Sequence, residues 1–468
     1  MRADAPPHAG VWALLGRLTL LAAPVFAEHL LHVFVGWTDT YLASHLVATG
    51  GLAGDELARG HASNAAATAA VGTISYVGWF IGLLVGAIAT GSTAIIARAV
   101  GARHRALASS VCGQSVTAAV VMGIVTGAIL FAFAPQVAHV SQLRGQAHQY
   151  ALDYLRLLSL AMPFTMLMFV AGACLRGAGD TLTPAIAMIV VDVVNLFFTF
   201  SLTYGYFGLP RMGFHGIATG TAIAYVTGGS LLLVVLIRGR GGIRLYLHRL
   251  RPHWTTMRRL LRIGLPGGVE GVLQWGANFG VLLVVNHLSN VVSAAHIITI
   301  RVESISYMAG FAAATAAATM VGQSLGMRDA GLARRYGYAG YLLGGCLMTL
   351  CGLSFILFGG PWARVFSADP QIVDLTAKCL FITGWIQPAF AAAMIFGASL
   401  RGAGDTLAVM LYNLASITFV RLVGVILVAR VWGYGLPAIW AVLSFELCIR
   451  AALMYRRFVA GKWQAINV

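Results

Sequence analysis

Apolar runs long enough to cross a bilayer follow one another from Trp12 to about Phe458, each closed by a short cluster of Gly, Pro or Arg. About 20 apolar residues suffice to span the hydrocarbon core as a helix. The alternation expected of membrane strands is absent, and lipid offers backbone groups no water, so helices are the expected solution. Reading breaks at the polar clusters predicts twelve spans: 12–45, 66–98, 106–134, 149–173, 181–205, 213–237, 258–288, 291–322, 330–359, 372–397, 406–429 and 435–455. The fold class expected is all-α integral membrane, with twelve transmembrane helices in two pseudo-symmetric six-helix bundles.

The polar interruptions reveal a duplication. Leu175-Arg176-Gly177-Ala178-Gly179-Asp180-Thr181-Leu182 returns 225 positions later as Leu400-Arg401-Gly402-Ala403-Gly404-Asp405-Thr406-Leu407. Pro163 maps onto Pro388, and Gly101-Ala102-Arg103 onto Gly326-Met327-Arg328, at the same offset. The chain thus divides into an N-lobe (1–237), a basic linker (238–257) and a C-lobe (258–468), in the parallel order that fits an axis along the membrane normal. In the repeated motif Gly177 and Gly179 supply backbone freedom, and Asp180 is placed to cap the helix that begins at Thr181. Arg176 and Arg401 are expected to face phosphate headgroups or to bond the ends of neighbouring helices.

Pro24-x-x-x-Glu28 recurs as Pro266-x-x-x-Glu270, but at an offset of 242. The first half therefore holds 17 extra residues near 46–66, expected as an external loop. The recurrence also marks the first run as a retained span, although Ala23-Pro24-Val25-Phe26-Ala27 after Arg17 has the look of a cleavable signal. Pro24, Pro163, Pro266 and Pro388 fall inside spans, where each removes a backbone hydrogen bond, and they are the candidate hinges.

Composition agrees with lipid as the solvent: 59% hydrophobic, 10% charged, mean hydropathy +0.82. The net charge of +16 suggests nucleic acid until its distribution is examined. With both termini and every even-to-odd connection on one side, 22 of the 31 basic residues lie there and seven on the other. The positive-inside rule makes the termini and the linker cytoplasmic, in a plasma (inner) membrane whose anionic headgroups meet the basic excess. Nucleic acid is not an expected partner. The six cysteines show no CxxC or His pairing, so neither a metal site nor a disulfide framework is expected.

Ionisable residues inside spans are costly and mark function by default. Glu28 and Asp39 are eleven residues apart, three turns plus about 20°, so they share one face of span 1, with His32 beside Glu28. Span 5 carries Asp192, Asn195 and Thr199 at i, i+3, i+7, a polar stripe. A carboxylate, an amide and a hydroxyl suit Na+ at Asp39 and Asn195, or a proton shared between Asp39 and Asp192. In the second half Glu270, Gln274 and Asn278 form another stripe. Arg301 and Glu303 lie on span 8 and Arg421 on span 11, forming with that stripe a candidate substrate or polar site. Glu303 is expected to pair with Arg421 or Arg301.

Together, the doubled LRGAGDT, Gly322-Gln323-Ser324-Leu325-Gly326 and the opening Ala23-Pro24…Glu28…Asp39-Thr40 resemble the MATE family of multidrug and toxic compound extrusion transporters. The resemblance covers nearly the whole chain. It implies a MATE/MOP-like pair of lobes, antiport of H+ or Na+ against an amphipathic, often cationic, drug-like compound, and no cofactor. It assigns the coupling aspartate to Asp39 and the helix-5 asparagine to Asn195. Thr199 stands where many members carry a second aspartate, and Glu270 lies one turn before Gln274, near which some members place a helix-7 acid. The Na+ shell is thus incomplete, and H+ is favoured. A flippase for a lipid-linked or polyanionic substrate is the rival, but it calls for a strongly cationic interior. No HExxH or GxSxG motif indicates an enzyme. The protein is expected to work as a monomer.

Overall fold

The computed structural model describes residues 10–47, 54–141 and 143–466. Twelve long helices follow: α1 Val11–Ser44, α2 Gly54–Gly101, α3 Arg105–Val140, α4 Gln146–Gly177, α5 Leu182–Tyr204, α6 Phe214–Arg238, α7 Trp254–Asn286, α8 Asn290–Gly326, α9 Ala330–Arg364, α10 Pro370–Gly402, α11 Thr406–Val431 and α12 Leu436–Val459. All twelve are long and apolar enough to cross a membrane. α11 widens into π-helical turns over Ser416–Leu422 and Leu427–Val431. Among the described residues the only bridge of β type is the isolated pair Arg240–Ile243 in the linker.

The extra residues of the first half do not all form a loop. From Gly54 they lengthen α2, and Asn64 bonds both backbone groups of Val47 (2.8 and 3.0 Å), tying α2 to the end of α1. The part of that insertion at 48–53 lies outside the described residues. The four candidate hinge prolines lie inside helices. The non-helical step falls in α9 at Phe358, three residues before Pro361.

α1 and α7 each belong to two packing neighbourhoods. Leu14, Leu18, Leu21 and Val25 share a core with Ala316, Met320, Leu332 and Tyr336 of the second half, whereas Val35, Leu42 and Ala43 join the first-half core. Reciprocally, Leu260 and Ile263 of α7 join the first-half core, and Val281 and Val285 pack within the second half. Both exchanges occur at the end of the bundle that carries the linker.

At that linker end the halves also cross through paired glycines. A Cβ on Gly101 would meet the carbonyl of Gln323, and one on Gly326 the carbonyl of Arg98, with both pairs related by the 225 offset. Small residues permit such backbone approach between membrane helices. The next turns reverse at Arg103 (φ 60°) and Arg328 (φ 62°), another symmetric pair. Arg98 donates to Ala403 O (2.8 Å) and Ile466 O (2.6 Å), while its counterpart Gln323 donates to Gly177 O (3.2 Å). Each half thus reaches the repeated motif of the other.

Candidate functional site

The repeated motif is a clasp made twice. Arg176 pairs with Glu28 (2.6 Å), and Arg401 with Glu270 (3.0 Å), joining the fourth span of each half to its first. Asp180 holds Arg240 just beyond α6 (2.9 Å), and Asp405 holds Arg457 near the end of α12 (2.7 Å). Asp180 also caps α5, accepting from Thr183 N (3.1 Å) and Thr183 Oγ1 (2.7 Å). Arg176 and Arg401 therefore point at internal carboxylates rather than headgroups. Glu28, on the same face of α1 as Asp39 but three turns before it, sits in this clasp and makes no hydrogen bond to the Asp39 site. α1 passes from the second-half core to the first, so one face meets different surroundings along its length.

Nearer the other end of the bundle lies a compact polar site in the first half. Asp39, 3% exposed, accepts from Tyr154 Oη of α4 (Oδ2, 2.6 Å) and from Thr221 Oγ1 of α6 (3.0 and 2.9 Å). Asn195 of α5 donates to Thr221 Oγ1 (2.9 Å) and Thr199 Oγ1 (3.2 Å), leaving its own amide oxygen buried without a partner. Gly220 lets α6 press onto Thr199, since a Cβ there would strike its hydroxyl. No base hydrogen-bonds Asp39 among the described residues, so its charge is met by hydroxyls alone. That is costly in hydrocarbon and leaves the group ready to take a cation or proton.

Asp192 lies one turn from Asn195, with both carboxylate oxygens buried and unpartnered. No hydrogen bond joins it to Asp39 among the described residues, so the directly shared proton is not formed. His32 packs edge-on against Phe169, and its Nδ1 has no partner.

The second half carries a different arrangement. Arg421 does not pair with Glu303. It closes on Glu446 Oε2 of α12 (Nη2 2.7 Å, Nε 3.2 Å) and donates to Asn278 Oδ1 (2.7 Å). Arg450 closes on Glu446 Oε1 (2.7 and 2.9 Å) and reaches Gln274 Oε1 (3.2 Å). Ser416 also donates to Glu446, which is fully buried. Glu303 instead accepts from Thr383 Oγ1 of α10 (2.6 Å), beside Gln387, and Arg301 is exposed. Glu270 receives Asn413 as well as Arg401.

Sequence reasoning missed Tyr154, Thr221, Asn413, Thr383 and the pair Glu446–Arg450. The first four are single polar groups on apolar helices, without periodic signal. Glu446 and Arg450 had one: opposite charges at i, i+4 inside an apolar run, which is the helical ion-pair spacing. Arg450 is thus an in-span base, not a flanking charge.

A family model described as MatE matches residues 55–201 and 266–427. A probable multidrug resistance protein NorM of Thermotoga maritima is 30% identical over 459 residues, covering 96% of this chain and 92% of that protein. A MATE transporter crystallised in the bent conformation superposes with a TM-score of 0.85 at 18% identity, over 98% of this chain and 99% of its own. The Vibrio cholerae MATE transporter VcmN in its bent form gives 0.84 at 16% identity, covering 96% and 97%.

Proposed function

The chain belongs to the MATE family of multidrug efflux transporters, and from that premise we propose that it exports amphipathic cationic compounds in exchange for protons, by alternating access of two lobes. The observation that carries the reading is Asp39: a buried carboxylate held by Tyr154 and Thr221 hydroxyls with no base in hydrogen-bonding contact. Deprotonated, it favours the state that holds a cationic compound between the lobes (1–237 and 258–468). Protonation from outside removes the charge, changes how α1 seats against α4 and α6, and releases the compound. Proton and compound must prefer different states, or no coupling follows.

Protons are favoured over Na+ because hydroxyl donors already occupy both oxygens of Asp39. Such donors reorient when a carboxyl gains a proton, whereas a metal ion requires several oxygens converging on one point. Asp192, Asn195 and Thr199 form the second rank of this site. Pro24 and Pro266 are placed to bend the spans exchanged between halves, with Pro163 and Pro388 as hinges in α4 and α10. The compound is met on the second-half side by Glu303 and Arg301, with Gln274 and Asn278 behind them holding Arg450 and Arg421. The basic linker end is cytoplasmic, in the plasma membrane, against anionic headgroups, and one chain is the working unit.

The polyanion flippase is less favoured because Arg401, Arg421 and Arg450 are already engaged by Glu270 and Glu446. The test is ethidium efflux from proteoliposomes, driven by a pH step alone or a sodium step alone. Asp39→Asn should abolish the pH-driven export with the protein still inserted. Unimpaired export by that variant, or drive by sodium alone, overturns the proposal.

A further inference from the structure

The same three spans of each half, the first, fifth and sixth, enclose a buried carboxylate away from the linker end. In the first half Asp39 of α1 is met by α6 and by Tyr154 of α4, with α5 behind them through Asn195; in the second Glu446 of α12 is met by α11, with α7 behind it through Asn278 and Gln274. The two sites differ in what meets the charge. Asp39 has the uncharged hydroxyls of Tyr154 and Thr221. Glu446 has a guanidinium on each oxygen, at 2.7 Å from both Arg421 and Arg450.

Local structure is arranged to make this so. The π-helical turns of α11 carry both Ser416 and Arg421, and such widened turns re-aim side chains and concentrate at functional sites. Arg450 follows Glu446 at i+4 on α12. The outer nitrogens of the two arginines are held in turn by Asn278 and Gln274 of α7, so the network is closed on itself.

A carboxylate in hydrocarbon requires a proton or a cation. Resting on the reading that Asp39 exchanges its ion, we infer that Arg421 and Arg450 are tethered counter-ions. They do permanently for Glu446 what the coupling ion does intermittently for Asp39, and so they set how many ions move per export cycle. A free cation leaves when its site opens to water. A tethered one stays at a fixed effective concentration whatever the state. Glu446 therefore keeps its positive partners throughout, with one charge to spare, takes up no further cation and contributes no driving force. Glu303, held by Thr383, is not a member of the network.

The test is coupling stoichiometry, read as the pH step that just holds off a fixed ethidium gradient across proteoliposomes with the membrane potential clamped. In Arg421→Leu/Arg450→Leu, Glu446 keeps only the Ser416 hydroxyl and becomes chemically like Asp39. One added proton on a single-proton cycle shrinks the balancing step by about half. An unchanged step in a correctly inserted double variant overturns the inference. If that variant does not insert, Glu446→Gln in the native background decides. The inference expects the same balancing step as the native protein, and a larger one, meaning fewer ions per cycle, overturns it. Asp39→Asn is run alongside. Coupled transport that survives in it sinks the parent reading alone, whatever the arginine variants do.

Discussion

The glycine crossing at the linker end makes a quantitative prediction. A Cβ on Gly326 would land on the Arg98 carbonyl and 2.8 Å from the Ala102 nitrogen; both are backbone atoms, which cannot swing aside. Forcing a methyl into such a contact costs about 1–3 kcal/mol. The contact joins the two halves, so the penalty falls on the state closed at the linker end and is relieved when the halves part there. Gly326→Ala should therefore shift the equilibrium towards the linker-end-open state by roughly 5- to 150-fold. The symmetric Gly101→Ala, whose Cβ would lie 2.8 Å from Gln323 Cα, should act in the same direction. Spin labels at Arg105→Cys and Gly331→Cys, both exposed just beyond the crossing, report the separation by double electron–electron resonance. Gly86→Ala, with nothing within 4 Å, is the control for helix propensity, about 1 kcal/mol in the stabilising direction. Distance distributions for Gly326→Ala that overlay those of the control would refute the reasoning.

Three further outcomes are expected. Glu28→Gln and Arg176→Gln should be coupled by about 0.5–3 kcal/mol in a double-mutant cycle of thermal unfolding in detergent, and strict additivity would show that the clasp does not hold α1 to α4. Glu446→Ala strands two buried arginines and should destabilise by about 3–5 kcal/mol, whereas replacing all three charges with Leu should recover most of it. A triple variant no more stable than Glu446→Ala would contradict this. Trp463, fully buried and stacked on Phe458 at 5.0 Å, holds the segment whose Ile466 carbonyl receives Arg98. Trp463→Ala should cost about 3–5 kcal/mol and speed proteolysis after Lys462, and unchanged cleavage would count against it.

Much of this was legible from residues alone because bilayer thickness and the duplication constrain it tightly. The twelve spans follow from run length, and the doubled motif located two symmetric devices before either partner was known. The grouping of Asn195 with Thr199 follows from helical spacing, since only one helix is involved. What spacing could not supply were the neighbours. Which helices face Asp39 depends on how α4 and α6 pack, and neither Tyr154 nor Thr221 stands out from its sequence. The pairing of Arg421 failed for the same reason: α12, not α8, lies against it, and the π-helical turns of α11 set its direction. Glu28 shares a helix face with Asp39 but not its partners, because α1 changes neighbours midway.

That change of neighbours has a bearing on how the molecule holds together. The opening stretches of α1 and α7 are arms, each lodged in the opposite half, so severing the chain between residues 241 and 253 would not yield two independent bodies. The pieces would embrace as the subunits of a domain-swapped dimer do, each completing its partner's interior. Co-expressed fragments should then purify as a single particle, and either one produced by itself should lack the surface on which its own arm was meant to rest.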